Sequence, residues 1–160
     1  MKNFFLKTAY LLGQESKCVS RNVGAVIADH KRIISTGYNG TPSGFTNCND
    51  VFKMGNFVRE DHHKWSKMNE VHAEMNAILF AAKEGKAIEG AEIYTILQPC
   101  DECLKNIIAA GIKKVYYVFQ YDFATQDNEL WSMIDYEQVN DSELLKWIYE
   151  QDMRDEPDGK

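Results

Sequence analysis

Val71-His72-Ala73-Glu74, read together with Pro99-Cys100-Asp101-Glu102-Cys103, decides what this chain is built to do. A neutral imidazole and two thiolates are good ligands for zinc, and three protein ligands leave the fourth tetrahedral position open for water. Glu74 is too close in sequence to His72 to serve comfortably as a fourth ligand, but its carboxylate can carry a proton between such a water and a substrate. A lone C-x-x-C is weak evidence; His-x-Glu followed by Pro-Cys-x-x-Cys is strong. A structural zinc knot and a redox C-x-x-C are the competing readings. The first should bring a fourth Cys or His near the pair, and the second has no need of His-x-Glu.

The surrounding residues place both halves of the motif at helix starts. Val71, Met75, Ile78, Leu79 and Ala82 recur at helical spacing and Gly85 follows as a stop, which predicts a helix over 70–84 with His72 and Glu74 in its first turn. Pro99 pre-sets a second helix, in which Cys100 and Cys103 share a face. There the helix dipole favours the thiolates.

Working outward, Asn3 to Gln14 has the pattern of an amphipathic helix. Val23 to Ala28 and Arg32 to Tyr38 read as a hairpin turned through Asp29-His30-Lys31. Glu92 to Leu97 is a strand feeding the cysteine helix, which stops at Gly111. Val115 to Phe119 is the next strand, so strand, crossover helix and strand predict a parallel pair. Asn128 to Ile134 reads as a helical turn and Tyr136 to Val139 as a fifth, edge strand. Ser142 is the expected N-cap of a closing helix through Gln151, with Leu145 and Ile148 inward. The sum is an α/β fold: three layers, α-β-α, around a mixed five-stranded sheet. A single domain over 1–152 is expected, with residues 41–70 as a long inserted loop lacking a convincing period and 153–160 as a frayed tail.

The chain has 160 residues, 44% apolar and 26% charged, enough for one substantial core and ordinary for a globular protein. A formal net charge of −6 argues against a nucleic-acid partner. Its longest apolar runs fall far short of a membrane span, and no signal peptide is visible after Met1-Lys2-Asn3. A cytoplasmic location is therefore expected, and four cysteines in such a reducing compartment point to metal ligands or buried thiols. Cys18 and Cys48 are left over by the first site, and His62 and Glu70 border the long stretch before the catalytic helix. One ion gripping all four would tie that stretch down. His63 is the alternate ligand, and two buried free thiols are the plainer reading.

Together with Val23-Gly24-Ala25-Val26 and Gly37-Tyr38-Asn39-Gly40, the zinc motif resembles the deoxycytidylate (dCMP) deaminases of the cytidine deaminase superfamily, above all their bacteriophage branch. The resemblance covers roughly residues 5 to 125. It implies zinc-dependent hydrolysis of dCMP to dUMP and ammonia, supplying thymidylate synthesis, with Glu74 as acid and base. It implies a structural zinc on Cys18, Cys48, His62 and Glu70. Substrate contacts are implied at Asn39 beside sugar and base, and at Ser16, Ser20 and Tyr121 toward the 5′-phosphate; either Arg21 or Lys17 balances that charge. The family is activated by dCTP and inhibited by dTTP, usually as a homo-oligomeric hexamer, with Mg2+ accompanying the bound effector. Tyr38, Gly40, Phe80 and Lys83 match the effector and interface positions, although many relatives carry Arg at the place of Lys83. A phage-type protein would work in the host cytoplasm. The rival readings are a zinc deaminase acting on free cytidine, deoxycytidine or a tRNA adenine, and a non-catalytic zinc-stabilised binding module.

Overall fold

The computed structural model describes residues 1–122 and 128–154, apart from the side chains of 153 and 154. Five strands form one sheet: β1 (Gly24–Asp29), β2 (Arg32–Tyr38), β3 (Glu92–Leu97), β4 (Lys114–Phe119) and β5 (Asp135–Gln138), in the order β2-β1-β3-β4-β5. β1 runs antiparallel to both β2 and β3, whereas β3, β4 and β5 are parallel. The expected mixed five-stranded sheet is therefore present, with β5 at an edge. The β1–β2 hairpin turns on His30 and Lys31, both at positive φ (47° and 63°), the backbone hand that matches strand twist.

The two faces of the sheet carry separate cores, and strand alternation assigns residues to them. Ala25 and Ile27 of β1, Ile93 of β3, and Val115 and Tyr117 of β4 face one layer. That layer is made by α4 (Ala73–Lys83) and α5 (Asp101–Ala109), which contribute Ala73, Ala77, Cys103, Leu104 and Ile107. Val26, Ala28, Tyr94, Ile96 and Val118 face the opposite way. They pack on α1 (Lys2–Gly13) and α6 (Ser142–Arg154) through Phe5, Leu6, Ala9, Leu144 and Ile148.

Several boundaries differ from the sequence reading. Residues 41–70, expected as a loop, hold two helices, α2 (Cys48–Val51) and α3 (Arg59–Asn69). α3 lacks a full apolar stripe: His62 is its one buried residue, and Trp65 packs partly buried against the same cluster. His72 is the N-cap of α4, not a residue of its first turn. Asp141 rather than Ser142 caps α6: its Oδ1 accepts from Leu144 N–H at 2.8 Å. Leu144 is fully buried there, with Leu145 only partly so. The helical turn near 128–134 is a 3-10 turn, Glu129–Met133. The tail expected to fray lies, from 155 to 160, outside the described residues.

Candidate metal centre and active site

α4 and α5 both begin at the same end of the sheet, and their N-caps, His72 and Cys100, are two of the expected ligands. His72 Nδ1 lies 3.4 Å from the Sγ of Cys100 and 3.4 Å from the Sγ of Cys103. All three donor atoms fall within 4.8 Å of one another, a spacing that one small cation can bridge. As the cap of α5, Cys100 Sγ also accepts from Cys103 N–H at 3.5 Å, using a donor that a helix start leaves spare. The hydrogen bond with Cys103, and then that with His72, holds the Cys100 thiol well below the usual cysteine range, against the opposing effect of burial. Its hydrogen bond to Cys100, burial and the charge of Glu74 push Cys103 up. The hydrogen bond with Cys100 raises His72 to about 9. Negative charge is thus stabilised on one sulfur beside a cationic ring, an arrangement in which a divalent cation can replace the bound protons.

Glu74 stands in the first turn of α4 and is only 4% exposed. Burial pushes its carboxyl up, with His72 acting in the opposite direction. A carboxyl moved toward neutrality beside a metal site is suited to taking up and releasing a proton.

The turn Gly37-Tyr38-Asn39-Gly40 is sewn to the start of α4. Val71 N–H donates to Gly40 O at 2.8 Å and Gly40 N–H to Val71 O at 3.1 Å. Asn76 Nδ2 donates to Tyr38 O at 2.8 Å. Ser35 Oγ donates to Ala77 O at 2.7 Å, and Gly37 lies flat against the α4 backbone. Asn39 is buried, and its amide is engaged at both ends: Oδ1 accepts from Val23 N–H and Nδ2 donates to Arg21 O, each at 2.8 Å. Its carbonyl accepts from Ser16 Oγ at 2.8 Å. Ser16 is buried, Ser20 half-buried, and Lys17 exposed. Tyr121 is fixed by its N–H to Gln98 Oε1 at 3.2 Å, and Arg21 lies over its ring at 5.3 Å from the centroid.

A second cluster joins Cys18, Cys48 and His62, all buried, with donor atoms within 4.8 Å of one another. His62 Nε2 is 3.5 Å from Cys18 Sγ and 3.4 Å from Cys48 Sγ, and Phe52, Phe57 and Trp65 enclose the group. His63, the alternate ligand, is exposed on α3 and takes no part. Glu70 offers Oε2 to Ser66 Oγ at 2.6 Å, while its Oε1 is buried with no hydrogen-bond partner among the described residues. Burial raises both thiols, and the Glu70 charge adds to the rise.

Of the expected effector and interface positions, Tyr38, Phe80 and Lys83 are exposed. Gln98 and Asn76 were not singled out in the sequence. The first is a buried polar residue directly before Pro99, which is the one signal that it has a task.

Residues 1–119 match the family model for the cytidine and deoxycytidylate deaminase zinc-binding region. The chain is 44% identical over 148 residues to the deoxycytidylate deaminase of Enterobacteria phage T4, covering 73% of this chain and 77% of that protein. It is 40% identical over 144 residues to the ComE operon protein 2 of Bacillus subtilis, covering 89% of this chain and 72% of that one. The crystal structure of the dCMP deaminase from cyanophage S-TIM5 in complex with dCMP and dUMP superposes with a TM-score of 0.72 at 35% identity, over 86% of this chain and 96% of that one. The ligand triad, the buried carboxyl at its side and these matches together place the chain in the cytidine and deoxycytidylate deaminase family.

Proposed function

We propose that this chain hydrolyses dCMP to dUMP and ammonia, using His72, Cys100 and Cys103 to hold zinc and Glu74 to move protons. The observation that carries the proposal is the convergence of those three donors within 4.8 Å, next to a carboxyl buried nearly completely. Two sulfurs and an imidazole are the donor set that zinc prefers, and three ligands leave a coordination position free. Bound there, zinc supplies Lewis acidity and lowers the pKa of a coordinating water.

Replacing the 4-amino group by oxygen requires one proton to reach N3 of the ring and another to reach the departing amine. Glu74 is placed to accept one proton from the attacking water and deliver it to N3, and then to take the second proton from the same oxygen and pass it to the leaving nitrogen. Burial pushes its carboxyl up, the direction that helps a carboxylate take up a proton before passing it on. Family likeness assigns Asn39 to the sugar and base and Ser16, Ser20, Arg21 and Tyr121 to the 5′-phosphate, and the Asn39 bonds to Arg21 and Val23 and the Arg21–Tyr121 contact hold these residues near one another.

The second cluster fits a structural zinc. Two thiols and an imidazole converge in a buried cluster, and Glu70 has a buried oxygen with no hydrogen-bond partner among the described residues. Such an ion would fix the 41–70 segment against Cys18 in the segment after α1. Response to dCTP and dTTP, Mg2+ at a bound effector and a hexameric assembly belong to the same proposal. They rest on family likeness and on the exposure of Tyr38, Phe80 and Lys83. Cytoplasmic residence fits four free thiols. No described helix is long and apolar enough to cross a membrane.

The test is turnover of dCMP beside deoxycytidine and cytidine, with and without dCTP or dTTP, on protein of counted zinc content. The proposal predicts two zincs per chain, a strong preference for the phosphorylated substrate and opposite responses to the two effectors. Equal rates on dCMP and deoxycytidine would return the chain to a nucleoside deaminase.

A further inference from the structure

We infer that Asn128 is a positioning residue for the zinc site: it holds the start of α5, and with it the sulfurs of Cys100 and Cys103, at the spacing that meets His72. The inference deepens the deaminase reading and rests on its metal site.

Cys100 and Cys103 ride on one turn of helix, so whatever fixes that turn fixes both sulfur ligands at once. The chain just before it is held by β4 and the residues after β4: Gln98 N–H donates to Phe119 O at 2.8 Å, and Gln98 Oε1 accepts from Tyr121 N–H at 3.2 Å. The helix start itself is held from a different element. Asn128 Nδ2 donates at 3.1 Å to Oδ1 of Asp101, the first residue of α5. The other end of the same amide sets its orientation, since Asn128 Oδ1 accepts from Leu130 N–H at 2.9 Å and so caps the 3-10 turn Glu129–Met133. That turn is anchored in the core. Trp131 is buried against Tyr117 of β4 and Tyr136 of β5, with ring centroids 6.1 Å and 4.9 Å apart, and belongs to the same apolar cluster as Cys103 and Leu104. Sheet, turn, amide and ligand helix therefore form one continuous line of contacts. Partners standing behind metal ligands in this way fix the direction in which the ligands point, and their loss weakens the metal site without touching the ligands themselves.

The capping and the positioning uses of Asn128 can be separated. Asn128→Asp keeps an oxygen for Leu130 N–H but removes the donor, so that two carboxylates face each other. Adding Asp101→Asn to it re-forms the bond with donor and acceptor exchanged. Zinc bound per chain is counted over a chelator-buffered series of free zinc in wild type, Asn128→Asp and the double variant. Turnover of dCMP at each point identifies the binding step that belongs to His72, Cys100 and Cys103, and thermal unfolding at saturating zinc is the folding control. In Asn128→Asp that step should move to about 10–100-fold higher free zinc, and in the double variant it should return to within about threefold of wild type. Asn128→Ser, whose hydroxyl can cap Leu130 but is too short to reach Asp101, takes the place of Asn128→Asp if that variant does not fold, with the same shift expected. A step that stays at the wild-type position in Asn128→Asp or Asn128→Ser, or a shift that the double variant does not reverse, overturns the assignment and leaves the deaminase reading standing. A wild type that binds zinc and leaves dCMP unchanged removes the dCMP reading, while the zinc counts still decide the role of Asn128.

Discussion

Gly37→Ala should damage stability and catalysis together, because Gly37 is where β2 touches the helix that carries the active site. A Cβ built there would lie 2.4 Å from the carbonyl oxygen of Ala73 and 2.5 Å from the amide nitrogen of Ala77. Ordinary contact begins near 3.4 Å, so α4 has to retreat by about 1 Å, and both obstructing atoms are backbone that no rotamer change can move. Overpacking of this kind costs about 1–3 kcal/mol. For a domain of this size about 2 kcal/mol lowers Tm by roughly 4–8 °C. The helix that moves begins with His72 and Glu74, and a misplacement of about 1 Å at a reacting group can cost on the order of 100-fold in rate. Thermal unfolding and kcat/KM on dCMP, both on zinc-loaded protein, read the two effects. Gly40→Ala is the stability control, since a Cβ there meets nothing within 4 Å. A Gly37→Ala protein with wild-type Tm and wild-type turnover would refute the claim that close β2–α4 contact sets the geometry of the site.

Leu104→Ala, deep beneath the cysteine helix, should cost about 2–5 kcal/mol by opening a cavity in the layer under α5, visible as a lower midpoint in urea. Cys48→Ala should reduce the zinc count from two per chain to one and lower Tm, since zinc at about 100 times its Kd contributes roughly 2.7 kcal/mol to the folded state; a variant still holding two ions rules out the second site. Asp141 has its carboxyl held below the usual range by the Leu144 N–H and then by Asn3. A lowered folded-state pKa stabilises above the ordinary value of 3.8 and loses that stabilisation as pH falls through the lowered one. Asp141→Ala should therefore melt below wild type at neutral pH, with the gap closing below pH 3.8; a gap that ignores pH shows that the cap is not the cause.

The active site was legible in the sequence because its parts are local. His72 and Glu74 are separated by one residue, Cys100 and Cys103 by two, and helix starts aim both pairs the same way. β2 and β3 fall where the apolar runs put them, at Arg32–Tyr38 and Glu92–Leu97. α3 was missed because hydrophobic periodicity needs a repeated apolar face, and this helix is tied down through His62 and Trp65 alone. α4 begins at Ala73 rather than at 70 because Val71 pairs its backbone with Gly40 and His72 caps from an extended conformation with no side-chain hydrogen bond. The sequence marks Asn39 as a turn residue that could contact substrate, but does not show that its amide grips the backbone of Arg21 and Val23. That use depends on two segments meeting in space, which no spacing along the chain reveals.

The most direct measurement is ammonia and dUMP formed from dCMP by zinc-loaded wild type and by Glu74→Gln of equal zinc content. The account predicts one ammonia per dUMP from the wild type, and from the variant a folded, metal-bound protein slower by at least about 100-fold. Wild-type protein that holds its metal and releases no ammonia, or a glutamine variant that turns over at the wild-type rate, would contradict it.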